Sequence, residues 1–202
     1  MSLKTIVKIN EVNNLTDARY VAGMGVDMIG FNIDKDDPQF VGKEKYFEIR
    51  SWISGVQIVG EINAFDKRQL EQVLEEFKPD VVQTTSIDTL KLLKDMKFPC
   101  IFKAFVFEYE KLEFLKLARN HPDFLLIEKP GEEITEMEDN QIRTLCREFN
   151  VLLSYGVTPE NVNDLMKKYD LSGFGLFGGD EVRPGYRDFE DLADILENLE
   201  FE

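Results

Sequence analysis

The sequence is short of cations, of cysteine and of long apolar runs, and each shortage bears on function. Twenty-four Lys and Arg stand against 39 Asp and Glu, for a formal net charge of −15. A nucleic-acid surface needs Lys and Arg to neutralise phosphates, so the balance argues against that partner. Any anionic ligand needs a locally arranged site, because the overall field repels it. The two cysteines, Cys100 and Cys146, give neither a disulfide framework nor metal-ligand spacing. Buried free thiols are expected there rather than reactive ones. The single histidine, His121 in "NHPDF", reads as a solvated turn residue rather than a catalytic one. No apolar run reaches the roughly 20 residues of a membrane span. The opening "MSLKTIV" has no leader with a cleavage site, so a cytoplasmic protein with no membrane partner is expected.

What is present is a regular alternation. Of the 202 residues, 43% are hydrophobic and 31% charged, as in ordinary globular proteins. Apolar runs rich in Val, Ile and Phe predict strands at "TIVKIN", "MIGFNI", "VQIVGEI", "VVQTT", "IFKAFVF", "FLLIEK", "VLLSYG" and "GFGLF". Between them a helical stripe recurs, as in Leu70, Val73, Leu74, Phe77 and in Val162, Leu165, Met166, Tyr169. Thr158 before Pro159 reads as a helix cap. Strand–helix pairs in succession, with short connections, imply a parallel sheet. Eight of them predict a (β/α)8 TIM barrel, one domain over residues 1–202, rather than an open doubly wound sheet.

In that architecture the site lies where strands end. The first strand stops in "KTIVKINEVNN" on Asn10 and Glu11. Because successive strand residues point to opposite faces, Glu11 is expected to point away unless the strand has already ended. Lys8, Lys103, Glu61, Gln83 and Glu128 have an inward direction, and the lysines fit an interior ionic layer at least as well as a catalytic role. Gly156, Gly178 and Gly179, at the ends of the last two strands, suit either plain turns or a phosphate site built from backbone N–H groups. Arg183 in "DEVRPG" is a possible cation beside them. "GFGLFG" matches a dinucleotide-binding expression, but its glycines run through a strand after a helix, which excludes that reading.

Several segments, in order along nearly the whole chain, resemble phosphoribosylanthranilate isomerase, a barrel enzyme of tryptophan biosynthesis. They are "VKINEVNNLTDARYVAGMGVDMIGF", "IVGEIN", "VVQ", "KAF", "DFLLIE", "GVTPENV" and "GGDEVRPGYRD". The resemblance implies an Amadori rearrangement of an aminoaldose phosphate to an aminoketose. That chemistry needs a general acid and a general base, but no cofactor or metal. It also implies a small phosphorylated sugar-type ligand and a monomer or homodimer.

The same resemblance implies roles and marks substitutions. The family's basic Cys at the end of the first strand is replaced here by Asn10, a carboxamide that accepts no proton near neutral pH. Glu11 is the neighbouring group able to act as a base. The family's acid corresponds to Glu128. Its anthranilate-gripping Arg corresponds to Gln39, which removes a bidentate cation. A ligand-orienting Asp corresponds to Gly175, and Tyr155 precedes Gly156 where a glycine pair is expected, so that a phenol would crowd a phosphate or stack on a ring. The alternative is a catalytically inactive or repurposed phosphosugar-binding barrel.

Overall fold

The computed structural model describes residues 2–117, 121–131, 133–178, 181–183, 186–187 and 189–201. Eight parallel strands pair in sequence order and close, because β1 also pairs with β8. They are β1 (Ile6–Asn10), β2 (Met28–Asn32), β3 (Gln57–Ile62), β4 (Val81–Thr84), β5 (Cys100–Phe105), β6 (Phe124–Glu128), β7 (Val151–Leu153) and β8 (Gly173–Phe177). The helices alternate with them: α1 (Leu15–Gly23), α2 (Lys43–Trp52), α3 (Lys67–Phe77), α4 (Ile87–Asp95), α5 (Tyr109–Leu117), α6 (Glu136–Cys146), α7 (Val162–Tyr169) and α8 (Glu190–Asn198). Between β8 and α8 lies a short antiparallel pair, β9 (Glu181–Arg183) and β10 (Tyr186–Arg187), which the apolar pattern does not signal. Among the described residues no helix is long and apolar enough to cross a membrane.

The strands are apolar on both faces because both are buried. One face points inward, where Met28, Val59, Val81, Ile101, Leu126 and Leu152 fill the lower barrel. The other meets the helices in a larger layer that includes Val7, Ile9, Phe31, Phe102, Phe174 and the helical stripes predicted above. Each fully buried side chain of this size contributes roughly 1.5–3 kcal/mol. Capping agrees with the helix starts: Asn14 accepts from Asp17 N, and Asp66 with Gln69 and Thr135 with Glu138 form reciprocal capping boxes. Thr158 is not the cap of α7. It opens a preceding turn, and the cap position is Asn161.

The lower rim is tied by a repeated device. Asp27, Asp80 and Asp123 each precede an even-numbered strand, and each accepts a backbone N–H from the strand before, at Val7, Ile58 and Cys100 (2.7–2.8 Å). Those carboxylates satisfy strand-end donors that have no ladder partner. His121 lies at this lower end, packed against the Phe149 ring, away from the strand ends that form the upper mouth. Both cysteines are free thiols, and burial pushes Cys100 up to about 11 and Cys146 to about 12.

Candidate active site

Above the apolar filling, the inward positions change character. Lys8, Asn10, Glu61 and Gln83 are buried polar residues, and Lys103 and Glu128 are mostly buried. Lys8 lies two residues before Asn10 on β1, so both side chains enter the interior. Lys8 Nζ donates to Glu61 Oε1 at 2.5 Å and also to Asn10 Oδ1. Burial lowers the Lys8 pKa, against the opposing pull of Glu61. Gly30 makes the meeting possible: a Cβ there would stand 2.1 Å from Glu61 Oε1 and 2.8 Å from Lys8 Nζ.

A second ion pair faces the first. Lys103 Nζ lies 2.7 Å from Glu128 Oε2 and 3.8 Å from Glu11 Oε1. Burial disfavours the Lys103 charge, but the hydrogen bond and charge of Glu128, with Glu11 and Glu61 behind it, outweigh that and raise its pKa. Glu11 reaches this pair because β1 has ended at Asn10 and Glu11 adopts a left-handed backbone, φ +55°. Its N–H donates to Glu61 Oε2 at 3.1 Å, which fixes the turn. Glu11 therefore does not point away. Burial raises its carboxyl pKa, the Glu61 charge adds to that, and Lys103 opposes it. Two ammoniums and three carboxylates thus form one connected cluster across the mouth.

Asn10 is held on both sides. Besides accepting from Lys8, its Nδ2 donates to Ser154 Oγ at 3.4 Å, and Ser154 donates on to Gly175 O. Gly175 leaves no room for a side chain, since a Cβ would come within 2.7 Å of Leu126 Cδ1. Gln83 adds a buried Oε1 with no hydrogen-bond partner among the described residues, between Glu61 and Ile101 in the strand register.

No protein-family model matches the chain. It is, however, 24% identical over 202 residues to N-(5'-phosphoribosyl)anthranilate isomerase of Petrotoga mobilis, covering 96% of each. The crystal structure of phosphoribosyl anthranilate isomerase from Thermotoga maritima superposes with a TM-score of 0.80 at 22% identity, over 96% of this chain and 98% of that one. A phosphoribosyl anthranilate isomerase in complex with reduced 1-(o-carboxyphenylamino)-1-deoxyribulose 5-phosphate gives 0.78 at 20% identity, with the same coverage. The chain is similar to phosphoribosylanthranilate isomerases along nearly its whole length and shares their barrel fold.

Against the family's pattern, the predicted site residues divide into two sets. Asn10, Glu11, Gln83 and Glu128 gather at one mouth, as do the strand-end positions Gly156 and Gly178. Gly156 takes φ +67°, and its carbonyl accepts from Asn161 Nδ2 at 2.8 Å while Asn161 Oδ1 accepts from Thr158 N at 2.8 Å. The "TPEN" segment is thereby a stapled turn presenting the end of β7.

The others stand elsewhere. Gln39 is exposed in the β2–α2 loop, its N–H on Asp37 Oδ1. Tyr155 neither crowds the mouth nor stacks there. Its ring packs in the outer layer with the Lys129 ammonium 5.7 Å away, and burial pushes its phenol pKa up. The reason is strand parity: Leu152 fills the interior, so Ser154, two residues on, points inward and Tyr155 outward. Gly179 and the Arg183 side chain lie outside the described residues. Sequence reasoning missed the rim phenylalanines Phe105 and Phe177, although Phe105 continues the period-two inward series of Lys103.

Proposed function

We propose that this barrel catalyses an Amadori-type rearrangement of an aminoaldose phosphate, with Glu128 as general acid and Glu11 as general base. The observation that carries the reading is the pair of carboxyl groups sharing Lys103, at 2.7 Å and 3.8 Å. Ring opening needs a proton delivered to the ring oxygen, and isomerisation needs one removed from the neighbouring carbon. Two carboxyl groups, one just past β1 and one at the end of β6, both near one ammonium, can divide those tasks. Lys103 also supplies positive charge where an oxyanion or enolamine develops. Asn10 orients rather than accepts protons, and Gln83 offers a buried acceptor for a sugar hydroxyl. The phosphate is assigned to the backbone around Gly156, Gly178 and Gly179, with Arg183 as a candidate cation.

A second reading has its own support. Asn10 is locked between Lys8 and Ser154, Gly175 has no space for a carboxylate, and Gln39 offers no cation to the ligand. Those features suit a phosphosugar-binding barrel that does not turn over. Complementation of a tryptophan auxotroph lacking the isomerase, with turnover of phosphoribosyl anthranilate by the purified chain, separates the two. Growth and turnover are expected, with Glu128→Gln slower by about two to four orders of magnitude. An unaltered rate in that variant removes Glu128 from the chemistry, and absence of both growth and turnover selects the binding barrel. The Thermotoga maritima isomerase is a dimer; sizing this chain distinguishes monomer from homodimer.

A further inference from the structure

The partners of Asn10 fix which end of its carboxamide is which. The Lys8 ammonium has only protons to give, so the atom it meets is Oδ1. Ser154 gives its hydroxyl proton to Gly175 O, so its Oγ is an acceptor toward Asn10, and Nδ2 supplies the proton at 3.4 Å. The two contacts agree. A flipped amide would set N–H against an ammonium and a carbonyl oxygen against a hydroxyl with no proton left.

The holding groups lie on the tier beneath. In the β1–β8 register Lys8 is level with Gly175, and Asn10 stands two residues higher with Phe177. Leu152 pairs with Gly173, which carries Ser154 to the level of Gly175. Lys8 is itself anchored on Glu61 Oε1 at 2.5 Å. Gly175 gives Nδ2 its space, since a Cβ there would lie 3.4 Å from that nitrogen.

An amide nitrogen carries two protons, and Ser154 takes one. The other meets no acceptor among the described residues. A donor left unpaired in a buried place is unfavourable, and a ligand oxygen that accepts from it removes that cost. Asn10 cannot itself take a proton, so it serves as a fixed donor and not as a base.

We infer that the second N–H of Asn10 faces the mouth and donates to the oxygen on sugar carbon C2, the carbon that loses its proton. This rests on the aminoaldose-phosphate reading above and adds a donor to its acid and base. Asn10 and Glu11 are consecutive, so the donor lies beside the base and reaches the oxygen on the same carbon. From imine to aminoketone, one proton moves from C2 to nitrogen and another from the C2 hydroxyl to C1. That oxygen ends as a carbonyl, an acceptor only, and a pre-oriented N–H matches it to the end.

Calorimetric titration of the full chain with a matched pair of probes tests this. One is reduced 1-(o-carboxyphenylamino)-1-deoxyribulose 5-phosphate, which keeps a hydroxyl on C2; the other has hydrogen in its place. The wild type is expected to prefer the hydroxylated probe about tenfold, and Asn10→Leu and Asn10→Asp to bind both within about twofold. Asn10→Asp keeps the oxygen that meets Lys8 and so guards against loss of fold. Ser154→Ala, which spares the donor, should retain the preference. With asparagine labelled by nitrogen-15, one Asn10 Nδ2 proton should move downfield on adding the hydroxylated probe and stay still with the other. Equal binding of the two probes to the wild type overturns the donor assignment while the aminosugar-phosphate reading stands. A preference that persists in both Asn10 variants overturns it as well, because another group then reads that hydroxyl. If neither probe binds, both readings fall together.

Discussion

The Glu11 carboxylate lies 3.8 Å from the Lys103 ammonium, although alternation along β1 directs the residue after Asn10 to the outer face. A left-handed backbone at Glu11 turns it back over the mouth. For a residue with a side chain that conformation is uncommon, and here it delivers a carboxyl group to the place where acid–base chemistry would occur.

The first prediction concerns pH. Burial, with Glu61 behind it, raises the Glu11 pKa above its ordinary value. The folded state then holds this proton over a range in which the unfolded chain has released it. The group's contribution to stability is full below the unfolded pKa and is lost as pH rises through the folded one. Glu11→Gln should therefore melt above the wild type at pH 8, with the gap closing below about pH 4.3. A variant that melts lower at pH 8 would mean that the Lys103 contact dominates.

Lys103→Met should destabilise the fold by about 2–3 kcal/mol, less than a fully buried pair because both partners keep some solvent. The loss leaves Glu11 and Glu128 facing each other without a cation. Adding Glu128→Gln should recover much of it, and urea unfolding of the two single variants and the double variant reads the coupling. Strict additivity would show that the contact contributes nothing.

Gly30→Ala is expected to cost about 2–4 kcal/mol, although the helix-facing layer is untouched. The added Cβ occupies the space in which Glu61 meets Lys8. Equilibrium unfolding with an unchanged denaturant slope would report this cost, and a loss below about 0.5 kcal/mol would mean that the pair can shift aside.

The anion site should bind weakly. A net charge of −15 opposes phosphate, so a dissociation constant nearer millimolar than micromolar is expected, about −4 rather than −8 kcal/mol. Titrating inorganic phosphate should move the amide resonances of Gly156 and Gly178. Asn161→Ala, which releases the turn around Gly156, should weaken the response. Peaks that stay still at tens of millimolar would remove the site.

The sequence by itself determined the barrel. Eight apolar runs alternating with helical stripes admit few other arrangements, because each strand needs both faces covered and each helix one. Parity along the strands also determined which polar residues enter the interior, so Lys8, Glu61, Gln83, Lys103 and Glu128 could be assigned inward from spacing alone.

What only the tertiary structure decided are the places where a strand stops. β1 ends at Asn10, and the left-handed backbone after it brings Glu11 into the mouth. The pairing of Lys8 with Glu61 and Lys103 with Glu128 was equally undetermined, since both lysines point inward and only the space left by Gly30 brings Lys8 to Glu61. The physical reason is common to these cases. Strand period is a local property of the chain, whereas a strand's last residue and an ion's partner are fixed by hydrogen bonds and volumes supplied by neighbouring strands.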